Sequence, residues 1–272
     1  MRYAFMSFSA PEASLDQLLT MARDYGYDGI EPRAGAGTPH AHGIEIETNS
    51  AQRAAICERI ERSGIQLCCI ATSCRYAHPD EVAVSIEQTA QYIDLAGDLG
   101  CPRLRVFGGA FEESDSREDA IARVASALRA VAEHAERRGV TLCLETHDAW
   151  TDPTHVAEVM RRADHSAVRV NWDVMHPQRA AGWSMDAAYH ELKPWIHHVH
   201  VHDGVDDMEK LELKSIGEGD FDHRRVIVLL AADGYDGFIS GEWIGWTPAT
   251  EHLPREVETL RSYEQDALEH AS

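Results

Sequence analysis

Apolar positions along this chain follow two rhythms that alternate. Short runs rich in β-branched and aromatic residues give way to longer stretches with apolar residues three and four apart. The short runs predict strands at Tyr3 to Phe5, Gly29 to Glu31, Gln66 to Ala71, Arg103 to Phe107, Thr141 to Glu145, Arg169 to Asp173, His197 to His202 and Gly237 to Glu242. The longer stretches predict helices. One covers Pro11 to Tyr25, where Leu15, Leu18, Leu19 and Ala22 share a face; another covers Asn49 to Ser63, with Ser50 as its N-cap. Others cover Val82 to Leu99, Ser116 to Arg138 and Asp222 to Ala232. Five helix ends read alike: DYGYDGIE, ERSGIQL, GDLGCPRL, ERRGVTL and AADGYDGFI. Each places a glycine in the left-handed position that ends a helix, just before a strand.

Eight strand–helix units shared among 272 residues leave about 34 residues each, room for a strand, a helix and two loops. The count of eight favours a (β/α)8 TIM barrel, one α/β domain spanning 1–272. A doubly wound open sheet would also alternate, but no GxGxxG loop opens the chain.

Composition narrows the partners. With 44% hydrophobic and 26% charged residues the chain can build a large core. Its 25 Lys and Arg stand against 46 Asp and Glu, a net charge of −21. Such a chain repels phosphate backbones and anionic bilayers, so neither nucleic acid nor a membrane is an expected partner. The first residues lack the apolar core and cleavage site of a signal peptide, and no apolar run reaches the roughly 18 residues of a membrane span. A cytoplasmic location is therefore expected. The six cysteines form no paired CxxC motif, and Cys68, Cys69 and Cys143 sit in apolar runs. They read as small buried hydrophobes, with a catalytic thiol as the weaker alternative.

A barrel of this kind carries its chemistry where the strands end. Strand two ends in Glu31, strand five in Glu145, strand six in Asp173 and strand eight in Glu242. Strand seven is the run HHVHVHD. Alternation puts His198, His200 and His202 on one face and His197, Val199 and Val201 on the other, so the first set should line the interior. His200, in the middle, matches the height of the carboxylates. Carboxylates and a neutral imidazole suit one divalent cation: Mn²⁺ first, with Mg²⁺, Co²⁺ or Zn²⁺ as alternatives. Each residue alone reads as a cap or a satisfied core group; together Glu145, Asp173, His200 and Glu242 read as a metal site.

Substrate contacts are expected around these ends. Arg33, Arg75 and Arg105 could hold a carboxylate or phosphate, although a salt bridge with a nearby acid is the plainer reading of each. His147 and His202 stand at the mouths of strands five and seven. Trp150, Trp172, Trp243 and Trp246 gather near strand ends, either to face sugar C–H surfaces, as Trp243 is placed to do, or to pack loops. The loop GAGTPHAHG at 35–43, with His40 and His42, has the glycines of a lid.

These residues resemble a known family. GYDGIE at 26–31, LETHD at 144–148, NWDVMH at 171–176, HVHVHD at 198–203 and the block IGEGDFDHRRVIVLLAADGYDGFISGEW at 216–243 are similar to the signatures of the xylose isomerase-like sugar isomerase and epimerase superfamily, which also holds the endonuclease IV-like folds. The resemblance covers nearly the whole chain. It implies that Glu145, Asp173, His200 and Glu242 bind the metal, that His176 and a basic residue after strand seven touch substrate, and that the chain forms a homo-oligomer. One departure stands out: many members read HxHxKD, with lysine where this chain has His202. Lys210 or Lys214 could replace that charge, or could be solvated loop residues.

The resemblance implies proton abstraction beside a carbonyl, with the metal stabilising an enediolate. Glu145 and Glu242, on different sides of the site, form the expected acid/base pair; in the alternative they are only ligands, and a water or His176 moves the proton. The expected function is isomerisation or epimerisation of a keto-sugar or inosose. The alternatives are a dehydratase or lyase on a hydroxylated ring, of inosose, dehydroshikimate or C-glycoside type; an endonuclease IV-like phosphodiesterase, which the −21 charge opposes; and a non-catalytic sugar-binding barrel, which the intact carboxylates oppose.

Overall fold

Strand runs that are apolar on both faces belong in a parallel sheet, with helices over one face and a packed interior against the other. The computed structural model describes residues 1–35, 40–112, 114–206 and 210–270. Its strands are β1 (Arg2–Met6), β2 (Gly29–Glu31), β3 (Gln66–Leu67), β4 (Ile70–Arg75), β5 (Arg103–Phe107), β6 (Thr141–Glu145), β7 (Val168–Asp173), β8 (Ile196–Val201), β9 (Asp203–Asp206), β10 (Leu211–Lys214) and β11 (Phe238–Gly241). Nine of them form one parallel sheet in the order β3-β2-β1-β11-β8-β7-β6-β5-β4. The sheet closes on itself where Arg33 bridges Ala71: Ala71 N donates to Pro32 O at 3.0 Å and Ala34 N to Ala71 O at 2.9 Å. The result is a (β/α)8 TIM barrel whose third strand comes in two pieces. The single strand expected over Gln66 to Ala71 is interrupted at Cys68–Cys69. Below the break Leu67 pairs with Ile30 of β2; above it Ile70 pairs with Leu104 of β5.

Helices α1 (Leu15–Tyr25), α2 (Ser50–Ser63), α3 (Pro79–Asp98), α4 (Arg117–Arg137), α5 (Pro153–Ala163), α6 (Met175–Ala181), α7 (Met185–Leu192), α8 (His223–Ala232) and α9 (Ala249–His270) accompany the strands. The five similar helix ends behave alike. Gly26, Gly64, Gly100, Gly139 and Gly234 all have positive φ, from 66° to 83°. In that conformation a Cβ would crowd the backbone. The cap of α2 differs from expectation: Asn49, not Ser50, accepts the bond from Gln52 N, because Asn49 is still extended while Ser50 is already helical.

Outside the main sheet, β9 and β10 pair as an antiparallel hairpin directly after β8. Asp203 anchors it. Its buried carboxylate accepts bonds from the amides of Gly204, Gly217, Gly219 and Phe221, at 2.8 to 3.3 Å. The glycine-rich part of the motif at 216–221 thus wraps one carboxylate. No helix among the described residues is long and apolar enough to cross a membrane.

Candidate functional site

Neighbouring strands β6, β7, β8 and β11 bring four polar side chains together at their C-terminal ends. Register aligns Asp173 with His200, and Glu242 N continues the ladder just past β11 by donating to Val201 O. Ligand atoms of Glu145, Asp173, His200 and Glu242 all lie within 4.8 Å of one another. All four side chains are buried. His200 Nδ1 stands 2.6 Å from Glu145 Oε1 and 3.1 Å from Glu242 Oε2. A single ring nitrogen has one position for a proton, yet several acids converge on its side.

Two oxygens in this cluster, Oε2 of Glu145 and Oδ2 of Asp173, are buried and accept no well-aligned hydrogen bond; each has an ion-pair neighbour, Arg105 Nε at 3.5 Å and His202 Nε2 at 3.0 Å. Buried carboxylate oxygens without well-aligned donors are costly, and a cation among them removes that cost. The donor set of carboxylates and one imidazole therefore fits a divalent metal ion. In the protein alone, the groups compensate one another. Burial lowers the basicity of His200, but the charges of Glu31 and Glu145 outweigh it and raise the imidazole well above its ordinary range. Burial pushes Glu242 up, but the bond and charge of His200, then Arg105, bring it down to about 2.

Behind these four lies a second layer, in which Glu31, expected as a strand end, and His198, expected on the interior face, meet. Glu31, at the end of β2, is fully buried and lies 2.8 Å from His198 Nε2 and 3.1 Å from His200 Nε2. A carboxylate on the far nitrogen of a ligating imidazole fixes its tautomer and rotation. Asn171 donates to Glu145 Oε1 at 2.9 Å. The available signal was that Glu31 closes an otherwise apolar strand, and that Asn171 lies two residues before Asp173, on the same strand face. His198 sits deeper than His200, against Glu31, while Val199 and Val201 are buried on the opposite face.

The expected substrate contacts divide. His147, His176 and His202 line a cavity of about 280 Å³ together with Glu242, Met175, Arg179, Leu211, Leu213 and Ile244. His202 Nε2 lies 3.0 Å from Asp173 Oδ2, and the rings of His147 and His176 meet edge to face at 4.4 Å. His147 bonds Asp148, which takes the uncommon φ of 51°. Arg105 is buried elsewhere: its Nε lies 3.5 Å from Glu145 Oε2 and a second nitrogen donates to Thr72 O. It accompanies Glu145 and does not line the cavity. Arg33 is held by Ala34 O and Ser73 Oγ. Arg75 pairs with Glu81, and Lys214 with Glu212.

Trp243 is 1% exposed and packs against His252, so it too is absent from the cavity wall. Trp150 and Trp172 are fully buried. For these three, packing is what the structure shows. Of the expected lid at 35–43, residues 36–39 lie outside the described residues; His40 bonds Ser7 and His42 bonds the carbonyl of Arg33, both buried. Five of the six cysteines are buried, and burial pushes Cys143 up to about 12, which opposes a nucleophilic thiolate. A larger hollow of about 600 Å³ lies where β7 and β8 begin, beside Arg169 and Trp195, remote from these groups.

Comparison with known proteins agrees with the fold. The family model described as a xylose isomerase-like TIM barrel matches residues 19–263. No curated protein matches the chain. Among solved structures, the chain is similar to the probable 3-DHS dehydratase AsbF of Bacillus anthracis, at 20% identity and a TM-score of 0.80, covering 96% of this chain and 99% of the other. It is equally similar to an L-ribulose 3-epimerase, at 20% identity and a TM-score of 0.80, covering 99% and 96%. A D-tagatose 3-epimerase-like protein matches at 21% identity and a TM-score of 0.77, with all of both chains covered. At such identities the likeness is one of fold.

Proposed function

Because the chain belongs to the xylose isomerase-like TIM-barrel family, we propose that it is a divalent-metal-dependent isomerase or epimerase of a keto-sugar or inosose. The observation that carries this reading is the convergence of ligand atoms of Glu145, Asp173, His200 and Glu242, all buried and all within 4.8 Å of one another. Those four residues would hold the ion, with Mn²⁺ preferred. When bound, it polarises a substrate carbonyl and the neighbouring hydroxyl as a Lewis acid.

The remaining work falls to the chain. Asn171 and Arg105 hold the carboxylate of Glu145 in place. Glu145 would take the proton from the carbon beside the carbonyl. Glu242, separated from Glu145 by β7 and β8 around the barrel, would return a proton to the other face of that carbon. Return to the opposite face is epimerisation; return to the neighbouring carbon is isomerisation. His176 and His202, on the cavity wall, would bind substrate hydroxyls. Two of the similar structures, an L-ribulose 3-epimerase and a D-tagatose 3-epimerase-like protein, have names of this reaction class.

A second reading has its own observation. His202 is held against Asp173, and its basicity is raised: burial opposes this, but the charge and bond of Asp173 prevail. An imidazolium beside the substrate could protonate a departing hydroxyl, which gives dehydration, and the Bacillus anthracis structure has a dehydratase name. The test is one screen of ketoses, inososes and ring hydroxy acids with Mn²⁺ in D₂O, read by NMR and mass. Deuterium at the α-carbon with mass otherwise kept supports the isomerase or epimerase; loss of water supports the dehydratase. Exchange that survives both Glu145→Gln and Glu242→Gln would sink the acid/base assignment.

A further inference from the structure

The hollow of about 600 Å³ lies at the end of the barrel away from Glu145 and Glu242, where α5 stops and β7 and β8 begin. Nothing in the proton-transfer reading uses it. Local sequence builds its walls. Helix α5 ends at Asp164, which takes a left-handed φ of 41°. Arg129 Nη1 fixes that turn by donating to the carbonyls of Ala163 and Asp164, at 2.8 and 2.6 Å. Arg169, the second residue of β7, is tied to the backbone: its Nη1 donates to His165 O at 3.0 Å and to Val168 O at 2.8 Å. Trp195 stands just before β8, with the guanidinium of Arg161 over its ring at 5.6 Å. Arg161 is itself held by Glu158 at 3.2 Å and Glu191 at 2.8 Å. Its charge is thus compensated, and what it contributes is a brace for the indole.

Two charges in the hollow are not compensated. Asp164 and Arg169 both line it, and neither forms an ion pair with the other or with any described residue. Only five positions separate them, but each is carried by backbone that is bonded in its own place, so they face one hollow without meeting. Opposite charges kept apart in this way are complementary to a ligand that bears both. The rest of the wall adds apolar surface from Met160, Pro194 and Trp195. A phosphate gains nothing from Asp164, and a plain arene gains nothing from either charge. An α-amino acid with an aromatic side chain has all three matching parts: a carboxylate for the fork of Arg169, an ammonium for Asp164 and a ring for the indole.

We propose that this hollow is a binding site for a free α-amino acid with an aromatic side chain. Arg169 holds its carboxylate, Asp164 its ammonium, and Trp195 its ring. The site stands apart from the metal cluster and does not rest on the reaction proposed above.

Titration calorimetry on the full chain tests it with phenylalanine and three partial ligands: phenylpropanoate, which lacks the ammonium; phenethylamine, which lacks the carboxylate; and glycine, which lacks the ring. Phenylalanine is expected to bind, and each partial ligand to bind about ten-fold more weakly or worse, the scale of one charge-assisted bond or one good apolar contact. Asp164→Asn keeps a residue that tolerates the left-handed turn and should bring phenylalanine down to the level of phenylpropanoate. Arg169→Gln should bring it down to the level of phenethylamine. Should that variant misfold, Asp164→Asn still decides the matter, since Asp164 is exposed. No binding of phenylalanine at about 10 mM, equal binding of phenylpropanoate, or an affinity for phenylalanine unmoved by Asp164→Asn overturns the proposal. Addition of Mn²⁺ should leave the affinity unchanged. An affinity that depends on Mn²⁺ would place the ligand at the metal cluster instead, and would overturn the proposal as well.

Discussion

His200 Nδ1 stands 2.6 Å from Glu145 Oε1. The two belong to strands separated by β7, so the contact passes over the end of that strand. Glu145 cannot be apportioned to the metal or to the proton on distance alone, because its two oxygens have different surroundings. Oε1 is held by Asn171 and His200, whereas Oε2 has only the long approach of Arg105. One carboxylate can thus be anchored at one oxygen and work at the other.

Glu145→Gln keeps the shape and removes the base. The expected loss in kcat/KM is about 10²–10⁴-fold, the usual scale for a positioned acid or base. Circular dichroism should show the wild-type fold, with a lowered melting temperature because Arg105 keeps its buried charge without this partner. Activity above a tenth of wild type in a well-folded variant would rule out Glu145 as the proton acceptor.

Glu31→Gln tests the layer behind the metal. Glu31 contacts both His198 and His200, with all three buried. Removing its charge should weaken Mn²⁺ binding by about 10–100-fold, because the tautomer and tilt of His200 are no longer fixed. Titration calorimetry of the metal-free protein measures this directly. Unchanged affinity would reduce Glu31 to a packing role.

How far the sequence carried these conclusions can be seen residue by residue. Strands ending in Glu31, Glu145 and Asp173 were legible because a carboxylate closes an apolar run. His200 was legible because period-two alternation sorts a row of histidines by face. Arg105 and Trp243 were not legible. Their residue types suit a ligand as well as a core, and only tertiary packing shows that Arg105 turns to Glu145 and Trp243 to His252. The hairpin of β9 and β10 was missed because four-residue strands carry too few positions to show a period.

Gly139→Ala tests the repeated turn between helix and strand. Gly139 has φ of 68°, and a Cβ there would meet nothing within 4 Å. Sterics with neighbours are therefore removed from the comparison and only backbone conformation remains. The expected cost is about 1–2 kcal/mol, the penalty of the left-handed region for an L-residue. Denaturant unfolding reads it, and a stability within about 0.3 kcal/mol of wild type would deny that the positive φ is needed.

Acid should loosen the loop at 216–221 before it unfolds the barrel. Burial pushes the Asp203 carboxyl up, but the neighbouring His223 at 3.6 Å and the bonds from the amides of Gly217 and Gly204 prevail, so its folded value lies below the ordinary value of about 3.8. A depressed carboxylate contributes stability above the unfolded value and loses that contribution as pH falls through the folded one. The loss therefore falls below about pH 4. Asp203→Asn should reproduce it at neutral pH, at about 2 kcal/mol, since an amide oxygen cannot replace a charged acceptor of four N–H groups. Hydrogen exchange at Gly217 and Gly219 gives the local readout. Lower protection there at pH 3.5, relative to the intrinsic exchange rate at that pH, or in the variant at pH 7, with the amides of β6 and β7 still protected, is the expected pattern. Uniform loss of protection across the barrel would show that Asp203 supports the whole fold rather than this loop.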